Sequence, residues 1–217
     1  MKPKLMPHEE QHLVVRRTGL PVADLFLNRW SPRAFDSAAV PMHDLHVMLE
    51  AARWAPSAYN VQPWRFVYAL RGDPNWPVFL SLLDSFNHEW AQYAGALVFV
   101  VSDTVRPGTD PARPFPSHSF DTGAAWAQFA LQARMLGYVT HAMGGIHTER
   151  VRKELNVPAR FKVEIGIAVG RQGTAQQLPA ALQAREYPSD RMPLRQLAYA
   201  GCFPADMASG VRTGSAT

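Results

Sequence analysis

Two short segments of the chain carry residue types suited to holding a small molecule. The first, RWSPRAF over Arg29–Phe35, sets Arg29 and Arg33 on either side of Ser31. Two planar, permanently charged guanidiniums and a hydroxyl in so short a stretch form a clamp for a phosphate group. The second, APSAYNVQPWRF, covers Ala55–Phe66. Pro56 breaks a helix after Trp54, and a loop of small and amide residues follows (Ser57, Ala58, Asn60 and Gln62). Pro63 then launches the apolar run Trp64–Leu70. Such a loop brings backbone and amide groups against a flat polar ring, with Trp64 belonging to the core behind it. A phosphate clamp and a ring-facing loop together suggest a flavin site.

These segments need a scaffold. Pro21 predicts a short helix over 22–29 with the proline at its first position, and Pro41 predicts a second over 42–54. In the latter, Leu45, Met48, Leu49 and Ala52 make one apolar face. Residues 64–70 read as a strand, 76–90 as one helix and 96–101 as a buried strand. Pro107, Pro111, Pro114 and Pro116 make 103–117 a surface loop and a candidate lid. The longest helix is 119–136, ended by Gly137, with small residues Gly123, Ala124, Ala127 and Ala130 permitting close packing. A short extended piece, 138–141, leads to Met143-Gly144-Gly145. Thr148 is the expected N-cap of a helix over 148–155, and 163–169 reads as a strand. After Gly170 the chain reads as loop until Pro193, which opens a last short helix to Ala200. The expected organisation is an N-terminal extension (1–20), one domain (21–200) and a small, polar tail (201–217) that docks on something, a second subunit being one candidate. Helices alternating with short strands imply an α+β domain, a sheet covered by helices.

Composition narrows the function. The 217 residues are 47% hydrophobic and 18% charged, which suits one globular domain with a sizeable core. No apolar run reaches the ~20 residues of a membrane span, and the start of the chain has acids and no apolar h-region. The single Cys202 fits a reducing compartment, so a cytoplasmic protein without membrane association is expected. The net charge of +4 comes from basic residues scattered along the chain, which argues against nucleic acid as partner and leaves a mildly basic surface with anionic small ligands. His43 and His46 lack companions at zinc spacing, so no metal site is expected. His141 beside the Gly-Gly turn reads either as a proton donor or relay or as a satisfied buried histidine. No Gly-x-Gly-x-x-Gly follows a strand, and no Gly-x-Ser-x-Gly elbow supports a hydrolase.

Five segments occur in a recognisable order: RWSPRAF, APSAYNVQPWRF, GYVTHAMGGIHTERVRKELNVP, EIGIAVG and DRMPL. Over 21–200 the chain thereby resembles the nitroreductase superfamily of FMN-dependent oxidoreductases. The resemblance implies an α/β/α sandwich with a mainly antiparallel central sheet, in an intertwined homodimer with FMN at the interface. It implies that Arg29, Ser31 and Arg33 hold the phosphate and ribityl end, with backbone contacts from Trp30 and a further cation from Arg191. Pro56, Ser57 and Asn60 would be laid against the isoalloxazine by the partner subunit. Met143, Gly144 and Gly145 would bring backbone N–H groups to flavin N5 and O4, the glycines lacking the Cβ atoms that would keep a flat ring away.

The implied activity passes hydride from NAD(P)H, a transient co-substrate, through flavin N5 to a small electron-poor acceptor such as a nitroaromatic or quinone, in ping-pong order. No catalytic side chain is needed beyond backbone assistance at Gly144. Reductive dehalogenation, flavin processing and a flavin-binding module with negligible turnover are the alternative readings of the same motifs. The stretch 75–117, which would shape the acceptor pocket, matches the family least.

Overall fold

Strand β2 (Ala96–Asp103) is the hub of the molecule because its apolar run is unbroken and every residue in it is buried. The computed structural model describes residues 16, 18–109 and 112–204. Its other strands are β1 (Trp64–Leu70), β3 (Val139–Met143) and β4 (Phe161–Gly170), and the sheet order is β1-β2-β4-β3. All three strand pairings are antiparallel. The helices are α1 (Asp24–Asn28), α2 (Met42–Arg53), α3 (Trp76–Ser81), α4 (Ser85–Ala91), α5 (His118–Met135), α6 (Thr148–Glu154) and α7 (Ala180–Gln183).

Side chains alternate across the sheet, so β2 feeds two cores. Leu97, Phe99 and Val101 pack with Phe79 of α3, Trp90 of α4 and Val151 of α6 on one face. Val98 and Val100 pack with Leu45 and Met48 of α2 and Phe129 of α5 on the other. Each such side chain contributes about 1.5–3 kcal/mol by leaving water. Helices on both faces of an antiparallel sheet give the expected α/β/α sandwich, and Trp64 is buried in it as expected.

The structure corrects several boundaries. Pro21 does not start a helix; α1 begins at Asp24. The single helix expected over 76–90 is two. The chain breaks at Leu82–Asp84 because Leu83 pairs with Ile146, Leu82 O accepts from His147 N at 2.8 Å, and Asp84 caps α4 through a 2.7 Å bond from Asn87 N. The break is thus made by the segment following the Gly-Gly turn. Residue His147, not Thr148, occupies the N-cap of α6, and no side chain caps it. Residues after Gly170 are not all loop: α7 and a 3-10 turn at Ala175–Gln177 form there, while the helix expected to Ala200 is a single 3-10 turn, Leu194–Gln196. The proline segment folds back on itself through a Val105–Pro114 bridge, with Pro111 outside the described residues. Nearly all of the N-terminal extension and tail residues 205–217 also lie outside them.

The RWSPRAF segment is stapled to the end of β4. Phe35 pairs with Gln172, Asp36 N donates to Arg171 O at 3.2 Å, and Gly173 N donates to Ala34 O at 2.9 Å. A Cβ on Gly170 would sit 2.8 Å from the Phe35 ring, so this glycine lets the ring close over the strand end. From beyond α7, Glu186 accepts from the backbone N–H groups of Arg33 (2.7 Å) and Ala34 (2.8 Å). Three chain segments therefore fix where Arg33 emerges.

Candidate cofactor site

A cavity of about 340 Å³ opens where these segments meet. Arg29, Trp30, Ser31 and Arg33 line it, as does Arg191 from the far end of the chain. These are the expected phosphate-binding residues, and folding brings them together within one chain. The fold adds His141 from β3, Arg16 from before α1, and Arg185, Tyr187 and Ser189. Five guanidiniums thus share one cavity, so basic residues that look scattered in sequence are gathered in space.

Arg29 is the C-cap of α1. A helix C-terminus is electronegative and repels phosphate, so side-chain charge must do the binding here. Arg16 covers that terminus, donating to Leu27 O (3.1 Å) and Arg29 O (2.9 Å). Arg29 Nη1 lies 3.4 Å from Ser31 Oγ. Burial lowers the pKa of Arg29, Arg33 and Arg16; repulsion from Arg191 and Arg16 adds to this at Arg29, Arg185 at Arg33, and Arg191 at Arg16. All remain cations at neutral pH. Arg33 Nε, Arg16 Nε and Glu186 Oε2 are buried without a hydrogen-bond partner among the described residues. Buried donors without acceptors are costly, and an anion in the cavity would relieve that cost.

His141 holds the clamp from below. Its Nδ1 donates to Pro32 O at 2.9 Å, which makes the neutral ring donate on that side, and it packs on Trp90 with ring centroids 4.7 Å apart. Burial pushes its pKa down to about 4, with Arg33 and Arg29 adding repulsion against the pull of the backbone carbonyl. The ring is half-buried, lines the cavity and is neutral at physiological pH.

The Met143–Gly145 turn lies at the end of the same strand, about 10 Å beyond His141 at strand rise. Met143 is buried at the end of the strand, paired with Gly166. The two glycines differ. A Cβ on Gly144 would meet nothing within 4 Å, leaving an open face for a flat ring. A Cβ on Gly145 would fall 2.1 Å from Asp84 Oδ2, and Gly145 O accepts from Asn87 Nδ2 and Asp84 N. Gly145 is therefore small because α4's cap packs on it, a reason the sequence does not reveal. The cavity beside the middle of the strand and the open turn past its end are spaced to suit the two ends of a phosphorylated flavin.

Pro56, Ser57 and Asn60 do not line the cavity. Their loop is held by Asp121, which accepts from Ala58 N at 3.0 Å, and by Ser57 Oγ, which accepts from Gln62 N at 3.0 Å. Tyr59, Asn60 and Gln62 all have left-handed backbones, at φ 53°, 55° and 52°. Strain of this kind costs about 1 kcal/mol or more per residue and gathers at functional loops. Tyr59 is 81% exposed and carries the Arg106 guanidinium 4.3 Å above its ring.

Sequence reasoning found Arg191 but missed Arg185, Tyr187 and Ser189. Residue 185 closes the turn after α7 and Tyr187 lies in a bend, so only the path of the chain brings these side chains to the cavity, while Glu186 reaches the Arg33 backbone.

Comparison with known proteins agrees with this fold. The sequence model of the Nitroreductase family matches residues 27–75 and 75–171. A solved structure described as an oxidoreductase containing FMN superposes with a TM-score of 0.85 at 47% identity, covering 87% of this chain and 96% of that one. Among curated proteins, an NADH dehydrogenase of Thermus thermophilus is 29% identical over 82% of this chain and 96% of its own length. A CLA biosynthesis enone reductase of Lactiplantibacillus plantarum is 27% identical over 69% of this chain and 85% of its own. With the family matched over most of its length and the sandwich in place, this chain belongs to the nitroreductase family.

Proposed function

We propose that this chain is an FMN-dependent oxidoreductase that transfers reducing equivalents from NADH or NADPH to an electron-poor small molecule, a nitroaromatic or quinone, in alternating half-reactions. The observation that carries the reading is the cavity joining Arg29, Ser31 and Arg33 to Arg191, one short strand segment from the open face at Gly144. When bound, FMN supplies the redox chemistry at N5. The guanidiniums hold its phosphate, Ser31 offers a hydroxyl, and Gly144 leaves room for the ring to meet backbone. His141 keeps the Ser31–Arg33 loop in place as a neutral donor to Pro32 O. Donor and acceptor use one ring face in turn, which gives ping-pong kinetics. The NADH dehydrogenase relative supports the donor, and the enone reductase relative adds activated double bonds to the acceptors worth testing.

A homodimer belongs to this reading. Pro56, Ser57 and Asn60 sit on a strained surface loop away from their own cavity, where a second copy can present them to its partner's ring. Phe120 on α5 and Leu194, Leu197 and Phe203 near the C-terminus are exposed apolar groups suited to such a contact. No described helix is long and apolar enough to cross a membrane. The lone Cys202 fits a reducing cytoplasm.

The test is anaerobic. NADH or NADPH added to FMN-loaded protein bleaches the flavin absorbance, and a nitroaromatic, quinone or enone restores it. Flavin that stays oxidised at millimolar donor contradicts the reading. For the dimer, an Arg33→Ala chain mixed with an Asn60→Ala chain recovers part of the activity if sites are shared.

A further inference from the structure

Arg16 and Arg185 lie outside the residues that the family model matches, yet both line the cavity. Arg16 belongs to the N-terminal extension, and its two bonds to the end of α1 fix its guanidinium at the cavity wall. Arg185 is placed by its neighbour Glu186, whose Oε1 accepts from the Arg33 and Ala34 N–H groups while its Oε2 has no hydrogen-bond partner among the described residues. Arg185 acts electrostatically on Arg33, and Arg191 on both Arg29 and Arg16. Cations held this close repel one another; Glu186 bonds to the clamp and Asp190 attracts Arg16, and these two carboxylates do not balance five guanidiniums. A doubly charged phosphate monoester is a ligand whose charge answers that excess.

We propose that Arg16 and Arg185 are anion ligands of this cavity, so that the N-terminal extension and the segment after α7 close a five-guanidinium cage around the phosphate group. That the phosphate is FMN's rests on the function proposed above; that the cavity takes a phosphate does not.

The experiment titrates apoprotein with FMN and, separately, with riboflavin, which has the ring and lacks the phosphate, following flavin fluorescence. Arg16→Gln and Arg185→Gln each raise the FMN Kd by about 10-fold, the size expected for one charge-assisted contact. Their riboflavin Kd stays within about 2-fold of the unaltered protein. Arg185→Lys, which keeps the charge, recovers part of the loss. An FMN Kd unchanged in both Gln variants overturns the proposal, as does equal weakening of FMN and riboflavin. If the unaltered protein binds neither flavin, the functional reading fails and inorganic phosphate decides the cage. Thermal stabilisation by phosphate that is lost in Arg185→Gln supports it, and no stabilisation overturns it.

Discussion

The two ends of β4 treat charge in opposite ways. Near its start, Glu164 is the bulged residue that the β2–β4 register skips between Val163 and Ile165. Its carboxylate accepts from Ser102 and Ser119 at 2.6 Å each and pairs with Lys162 at 2.9 Å, while His118 bonds Ser102 at 2.7 Å. Burial pushes the Glu164 pKa up, but the bonds from Ser102, Ser119 and Lys162 leave it below the ordinary value. Near its other end, five arginines face a shared cavity and buried guanidinium nitrogens lack acceptors. A polar cluster whose partners are all present is structure. One that lacks its counter-charge is built for something that arrives from solution.

Variants can break that contrast. The largest effect is expected from the double change Arg29→Ala with Arg33→Ala. It raises the FMN Kd about 1,000-fold, while the apoprotein, relieved of repulsion, melts within a few degrees of the parent. Titration calorimetry and thermal melts measure the two quantities. A double variant that binds FMN normally would merge the two ends of β4 into one class.

His141 gives the next effect, through pH. Its folded pKa of about 4 lies below the unfolded value of about 6.5, so the unfolded chain takes up the proton first as pH falls. Stability is complete above pH ~6.5 and declines by up to about 3 kcal/mol as pH drops toward 4. Denaturant melts across that window measure the loss, and His141→Gln flattens it.

Glu164→Ala should cost about 2 kcal/mol of folding stability, because Ser102 and Ser119 lose a buried acceptor. Its FMN Kd should stay within about 2-fold of the parent. The two glycines of the turn sharpen the same contrast on a smaller scale. Gly145→Ala meets Asp84 and costs about 1–3 kcal/mol of stability. Gly144→Ala meets open space, leaves stability within about 0.5 kcal/mol and weakens flavin binding.

Much of this was readable from the chain. The strands declared themselves because β2 holds the continuous apolar run 96–101 and β4 is rich in Val and Ile, and the clamp because Arg-x-Ser-x-Arg is local. What could not be read depends on contacts between distant segments. The break at Leu83 is imposed by Ile146, and the crowding of Gly145 by Asp84. Arg16 and Arg185 lie outside the Arg29 motif and far from each other in sequence, and only the fold shows that each belongs with Arg29. Helical spacing in 76–90 misled because that pattern cannot see a tertiary strand contact.

Phosphorus NMR of the FMN-loaded protein, recorded from acid to neutral pH, tests the central claim most directly. Free FMN phosphate takes up its second proton near pH ~6. A phosphate held among five guanidiniums should stay dianionic well below that, with a resonance that does not move across the transition. A resonance that titrates as it does for free FMN, or a protein that retains no FMN, would contradict the account.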